Sequence, residues 1–430
     1  MNDKAISLDR KALFGWTMYD FANSAFTTLI VTFIYATYFT KAIAPDPIIG
    51  TTLWSRAITV SSLAVALLSP FLGAMADQSG HRKRYLLLST GLAIFCAFML
   101  YYPLPGQVMA ALFWFVLGNI AFEMGNVFYN AFLPELAPPE KIGSISGIGW
   151  GVGYIGGLAA MMLAMITMVN PETPWFGLSR ELGQNIRATN LLVAVWFAVF
   201  SLPMFLQVKE GRSTPTTPFN LSTVSARLAT TFREIRKYRQ IFRLLLARLF
   251  YNDGLITIFA FGGIYAAGTF NFSFQEIMTF GIVLNLMAGL GAFAFGFCDD
   301  RLGGRMTVLI SLAGLIVAST MALTATTKPW LWAAGILVGI FAGPNQAASR
   351  SLLGRMVPRE KDNEFFGFFA FSGKFTAFLG PLALGILTEL FHSQRVGMSV
   401  VLVLFSLGGL LLLPVDEQEG IRAALTNKER

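Results

Sequence analysis

Apolar runs of roughly 18 or more residues recur along the whole chain, parted by short polar segments. A helix that crosses a bilayer needs about 20 such residues. The pattern predicts twelve spans. Six lie near 13–40, 57–76, 85–103, 108–133, 143–169 and 188–208. Six more lie near 241–268, 276–298, 306–326, 330–353, 365–391 and 396–414. The expected fold is an all-α membrane protein, with twelve transmembrane helices in two pseudo-symmetric six-helix bundles. Residues 1–208 are expected to form the first bundle and 241–430 the second, ending in a short tail. Between them, 209–240 reads KEGRSTPTTPFNLSTVSARLATTFREIRKYRQ. It begins as a Ser/Thr/Pro-rich tether and ends as a basic amphipathic helix suited to an anionic membrane surface.

Composition sharpens this picture. Of 430 residues, 55% are hydrophobic and 13% charged, against roughly 25% charged in an ordinary soluble domain. A soluble enzyme, a disordered chain and a nucleic-acid binder are excluded. The net charge of +8 fits the lipid bilayer, with its anionic inner leaflet, as the partner. Cys96 and Cys298 fall inside distant apolar runs, which points to neither a disulfide framework nor a metal site. The opening MNDKAISLDRK lacks the layout of a cleavable signal, so the first run is expected to remain a span.

Lysine and arginine asymmetry orients the spans. With both termini placed inside, only Lys41, Arg56, Arg180, Arg187, Lys328 and Arg395 fall outside, and Lys374 falls within a span. All other Lys and Arg residues lie on the inner side. Both termini are therefore expected to be cytoplasmic.

The two halves echo each other. Gly73-Ala-Met-Ala-Asp77-Gln-Ser-Gly80-His-Arg82-Lys-Arg84 follows the second span, and Gly296-Phe-Cys-Asp-Asp300-Arg-Leu-Gly303-Gly-Arg305 follows the eighth. In both, Gly precedes Asp by four, Gly follows it by three and Arg follows it by five. A second echo pairs Pro138-Pro-Glu140-Lys141 with Pro358-Arg-Glu360-Lys361, followed by Gly147 and Gly153 against Gly367 and Gly373. Duplicated halves joined by a tether are the plan of an alternating-access carrier.

The G-x-x-x-D-x-x-G-x-R loop resembles the signature of the major facilitator superfamily. A tight turn needs its glycine, and its Asp suits the partly positive N-terminus of a neighbouring helix. The resemblance implies that Asp77 meets the eleventh helix across the seam and latches the inner gate, with Asp300 in the matching role. A narrower resemblance lies in GWTMYDFANSAF (15–26), FYNAFLPELAPPEKIGSISGIGWGVGYIGG (128–157) and LLARLFYNDG (245–254). It continues in PNQAASRSLLGRMVP (344–358) and EFFGFFAFSGKFTAFLGP (364–381). These segments are similar to the vacuolar amino-acid effluxer branch, in its bacterial form. One departure is plain. The Gly-Pro-x-x-Gly-Gly signature of exporters is replaced by Gly149-Trp-Gly151-Val-Gly153-Tyr-Ile-Gly156-Gly157, without the proline. Export is not indicated by this helix. Its glycine pairs 149/153 and 153/157 are expected to allow close helix contact.

Charges within spans cost at least about 2.5 kcal/mol near mid-membrane, so each needs a reason. The first span carries Asp20, Asn23 and Thr27 on one face. The fourth carries Asn119, Glu123, Asn126 and Asn130 at i, i+4, i+7 and i+11. Such a stripe suits water or solute rather than lipid. The seventh has Arg248, Tyr251, Asn252 and Asp253. The tenth has Asn345, Gln346, Ser349 and Arg350, and the eleventh has Lys374. The superfamily resemblance implies that spans one, four, seven and ten surround a central cavity. For Asp20 and Asp253 the competing reading is structural pairing with arginines or helix ends; for Arg350 it is snorkelling. Asn285 and Glu276 read as structural. His81 and His392 fall in loops, which leaves the carboxylates, Glu123 first, as coupling candidates.

The expected function is secondary transport of a small polar solute, by resemblance an amino acid or related zwitterion, with protons as the candidate coupling ion. Glu123 or Asp20 would meet the ammonium, and Lys374 or Arg350 the carboxylate. A carrier for a sugar, organic acid or drug, or a receptor of carrier shape, is the alternative. No nucleophile–base pair, metal-ligand cluster or GxxxxGK[ST] occurs, so neither an enzyme nor an ATP-driven pump is expected. The chain is expected to act without cofactor or metal, as a monomer in the cell inner membrane.

Overall fold

The computed structural model describes residues 9–210, 226, 228–231, 233 and 237–426. Most of the 209–240 tether, with its expected amphipathic helix, lies outside the described residues. The described chain is all-helical, without a strand. The first half holds α1 (Arg10–Ile43), α2 (Pro47–Ser79), α3 (Arg82–Met99), α4 (Val108–Leu136), α5 (Pro139–Val169) and α6 (Glu181–Gln207). The second holds α7 (Arg239–Phe270), α8 (Gln275–Leu302), α9 (Gly304–Thr324), α10 (Lys328–Met356), α11 (Arg359–Phe391) and α12 (Gln394–Leu412), followed by a tail helix α13 (Glu417–Thr426). Eleven are long and apolar enough to cross a membrane. The twelfth, α3, opens on Arg82-Lys83-Arg84, whose charges offset its apolar run.

The structure departs from the predicted elements at three places. First, α2 starts ten residues before the expected position, because Asp46 accepts the Ile48 and Ile49 N–H groups at 2.9 Å and Pro47 occupies the first turn. Second, α1 widens into π-helix over Phe26–Phe33 and again over Phe39–Ile43. Third, α11 is broken. Its first half ends at Lys374 and its second begins at Leu379.

The helices alternate in direction, so the α2–α3, α4–α5, α8–α9 and α10–α11 connections share one end with Arg10 and α13. This is the basic end; the opposite one is the far end. Two helix crossings join the halves there, and they are related by the repeat. A Cβ on Gly73 or Gly367 would strike the backbone of α11 or α2, respectively, and one on Gly147 would strike the α8 backbone at Ala292. Ser69 on α2 also donates to the Gly367 carbonyl at 2.9 Å. Gly80 ends α2 at φ 67° and Gly303 ends α8 at φ 87°, conformations that glycine adopts without strain. Within the first half, α5 lies against α1 through its glycines: a Cβ on Gly156 would hit the Phe21 carbonyl, and one on Gly157 the Thr28 hydroxyl. Gly157 belongs to the small-residue pairs expected to allow close contact, and Gly156 adds a further one.

Candidate functional site

At the basic end matching contacts, the latches, join the two halves. Asp77 Oδ1 accepts from the Asn363 N–H at 3.1 Å and the Asn363 side-chain amide at 2.6 Å, and Oδ2 accepts from the Glu364 N–H at 2.9 Å. These donors open the α-helical part of α11. Asp300 Oδ1 accepts from Gly143 N–H at 2.8 Å and Ser144 N–H at 3.1 Å, at the start of α5. In each case a carboxylate from one half satisfies orphan N–H groups of the other at a helix N-terminus. Beside Asp77, Arg82 pairs with Glu135 at 2.5 Å and reaches Asp362 at 3.9 Å. Beside Asp300, Arg355 pairs with Asp299 at 2.6 Å, Glu417 at 3.3 Å and Asp300 at 3.7 Å. Arg84 is exposed, and Arg305 donates to the Leu413 carbonyl at 2.6 Å.

Above the latches stands Arg350 of α10, buried with 2% exposure. It donates to Asp20 Oδ2 at 3.2 Å, Asn130 Oδ1 at 3.1 Å, Ser146 Oγ at 2.9 Å and the Ser146 carbonyl at 2.7 Å. Its guanidinium also lies 4.9 Å from the Trp16 ring. One second-half cation thus ties α1, α4 and α5 of the first half. A second cross-half pair, Lys374 to Glu123 at 2.6 Å, joins α11 to α4.

The break in α11 is held by α7. Arg248 donates to the Phe369 carbonyl at 2.7 Å and Ser372 Oγ at 3.1 Å, while Asn252 donates to the Gly373 carbonyl at 2.9 Å. On the other side of the break, Asp253 Oδ2 accepts the Gly380 N–H at 2.8 Å. A cation therefore meets a helix C-terminus and an anion meets a helix N-terminus, as the helix dipoles favour.

Toward the far end lies a cavity of about 400 Å³ between the halves. Its walls come from α1, α5, α7, α8 and α10. Phe33, Trp150, Tyr154, Phe259 and Phe280 supply aromatic surface, and Thr27, Asn285 and Gln346 supply neutral polar groups. Among the described residues, no charged side chain lines it. The π-helical stretch of α1 forms part of the wall, a position where such segments are frequently functional.

A family model described as "Vacuole effluxer Atg22 like" matches residues 50–144 and 138–425 of this chain. The chain belongs to the Atg22-like family. It is 27% identical over 409 residues to an uncharacterised MFS-type transporter, YxiO, of Bacillus subtilis (strain 168), covering 94% of each chain. It is 24% identical over 307 residues to autophagy-related protein 22-1 of Aspergillus fumigatus, covering 65% of this chain and 49% of that longer protein. The solved structure of the human organic anion transporter MFSD10 (TETRAN) superposes with a TM-score of 0.73 at 16% identity, covering 94% of this chain and 98% of that one. The fold is that of the major facilitator superfamily.

Within this Atg22-like chain, the residues singled out from sequence fall into separate places. The α4 stripe does not face one cavity. Asn119 donates to Ser61 on α2 at 2.8 Å, Glu123 meets Lys374, Asn126 accepts from Asn23 at 3.2 Å, and Asn130 meets Arg350. Each lies on the seam or within the first half, because each finds a partner on a different neighbouring helix. Tyr251 bonds Ser349 at 2.8 Å, as Tyr19 bonds Thr90 at 2.8 Å. Gln346 lines the cavity and donates to Asn252 at 3.4 Å. Arg350 does not snorkel; it is buried at the seam between the halves. Asn285, read as structural, lies in the cavity wall, whereas Glu276 pairs with Lys328 at 2.9 Å and caps α8. Sequence reading missed Ser146, Trp150 and Tyr154. The last two stand i, i+4 among glycines, a signal for an aromatic face on an otherwise smooth helix.

Proposed function

We propose that this member of a transporter family is a secondary carrier that moves a small polar solute by alternating access. The observation that carries the reading is the cavity itself: lined by helices of both halves, placed toward the far end, and sealed beneath by Arg350 and the two latches. Its solute is an amino acid or related zwitterion. Ser24, in the cavity wall, stands one turn above Asp20, so the Asp20–Arg350 pair lies one turn below the cavity. A zwitterion can exchange partners with such a pair, its ammonium taking Asp20 and its carboxylate Arg350. The Glu123–Lys374 pair offers a second exchange of the same kind. The effluxer description of the family supports a carrier.

The protein is placed as a monomer in the cell inner membrane, with the basic end cytoplasmic, as the lysine and arginine distribution favours. Transport is coupled to protons. The neutral aromatic lining favours one second reading, an uncharged solute such as a sugar. Purified protein in liposomes tests both. Saturable counterflow of labelled amino acids supports the first, sugar flux alone favours the second, and binding without flux of any solute points to a receptor.

A further inference from the structure

Three carboxylates sit well inside their helices, and their surroundings differ. Asp20 has Arg350 at 3.2 Å and Glu123 has Lys374 at 2.6 Å. Protonating either would strand a cation. Asp253 has no cationic partner among the described residues. It is 1% exposed, Oδ2 accepts one N–H from Gly380, and Oδ1 is buried without a partner.

The elements packed around Asp253 bring no charge to it. At its neighbour Gly254, α12 presents Leu404 and Phe405, and Leu404 also reaches Gly380. From α11 come Gly380 and, before the break, Lys374, which is committed to Glu123. The α10 side meets Tyr251 through Ser349. On α7 itself, Arg248 is committed to Phe369 and Ser372, and Thr257 donates to the Asp253 backbone carbonyl at 2.8 Å. What answers the Asp253 charge is the N-terminus of the second half of α11.

We propose that Asp253 is the carboxylate that takes up the coupled proton, and that the break in α11 reads its charge. The proposal rests on the proton-coupled reading above. Charged, Asp253 holds Gly380 by a charge-assisted bond, about twice as strong as the neutral one that remains after protonation. The first half of α11 is fixed to the other bundle by Asp77 and by Lys374. Loosening the second half at Gly380 lets the helix bend at residues 375–378, so the halves can part without unfolding α11. One proton adds to Oδ1 from water on one side and leaves to water on the other; no other bond is made or broken.

The test uses full-length protein in liposomes under a pH gradient, with leucine as labelled solute and a trapped pH dye. Asp253→Asn should keep leucine exchange while losing both pH-driven accumulation and leucine-driven proton movement. Asp253→Glu should restore part of each. An Asp253→Asn variant that still accumulates leucine with the pH gradient overturns the proposal. Leucine movement without protons in the unaltered protein overturns the coupled reading and this proposal with it, leaving transport intact. Should Asp253→Asn fail to fold, Asp253→Glu decides: leucine accumulation whose pH dependence shifts from that of the unaltered protein supports Asp253, and an unchanged pH dependence overturns it.

Discussion

Asp77 and Asp300 perform one act in two settings. Both sit 4 residues after a crossing glycine and 3 before a turn glycine, and both cap a helix of the opposite half. The settings differ in three ways. Asp77 also takes the side-chain amide of Asn363, whereas the matching residue on α5 is Gly143, which has none. Gly73 meets the α11 backbone more closely than Gly296 meets α5, where a Cβ would stand 3.0 Å from the Gly143 carbonyl. The helix under Asp77 is broken, while α5 runs on. The repeat therefore preserves backbone geometry and leaves side-chain surroundings free to diverge. That divergence makes the Asp77 side the clasp with the extra donor and the closer backbone contact, on the helix that is broken.

The largest effect should come from steric disruption of that clasp. Gly73→Ala places a methyl group against the Asn363 carbonyl, and overpacking of this kind costs about 1–3 kcal/mol. Thiol labelling at the basic end should rise strongly, and more than for Gly296→Ala. Equal labelling in the two variants would erase the asymmetry. Next comes Lys374→Ala, which leaves Glu123 without its cation. A partly exposed broken pair costs about 2 kcal/mol, less than a fully buried one. Expression should fall and recover when Glu123→Gln is added; absence of recovery would assign Lys374 to the solute rather than to α4.

Asp77→Asn should follow at about 1–2 kcal/mol, through loss of the charge at the α11 N-terminus. Asp300→Asn should be milder, since it lacks the extra amide. Labelling of both, read against flux, checks the order. The smallest change belongs to Glu417→Gln. Glu417 accepts from the Gly304 and Arg305 N–H groups at 3.2 and 3.0 Å and pairs with Arg355, so α13 braces the start of α9 and the end of α10. A small drop in melting temperature with unchanged flux is expected.

The turn glycines and helix-capping aspartates were legible in the sequence because the repeat shows both twice, and their place at the seam came from the resemblance to the superfamily loop signature. The polar stripe on α4 was legible as polar but not as divided. Periodicity gives a face, and which neighbour each residue meets depends on helices far away in sequence. The break in α11 was hidden by its apolar run, although Pro381 carried a signal: proline supplies no N–H for the preceding turn and suits the first turn of a new helix. The cavity lining escaped because aromatic side chains on α5 and α8 look like lipid-facing ones until the bundle is assembled.

The central claim is that solute passes only when the seam at the basic end parts. Ser146 on α5 donates to the Ala347 carbonyl on α10 at 2.8 Å, so these positions are neighbours across the closed gate. With Cys96 and Cys298 replaced by serine, S146C and A347C can be joined by a short cleavable thiol cross-linker, and amino-acid counterflow measured in liposomes before joining, after joining and after cleavage. The account predicts that flux stops on joining and returns on cleavage. Flux that continues undiminished through a fully cross-linked gate would contradict it.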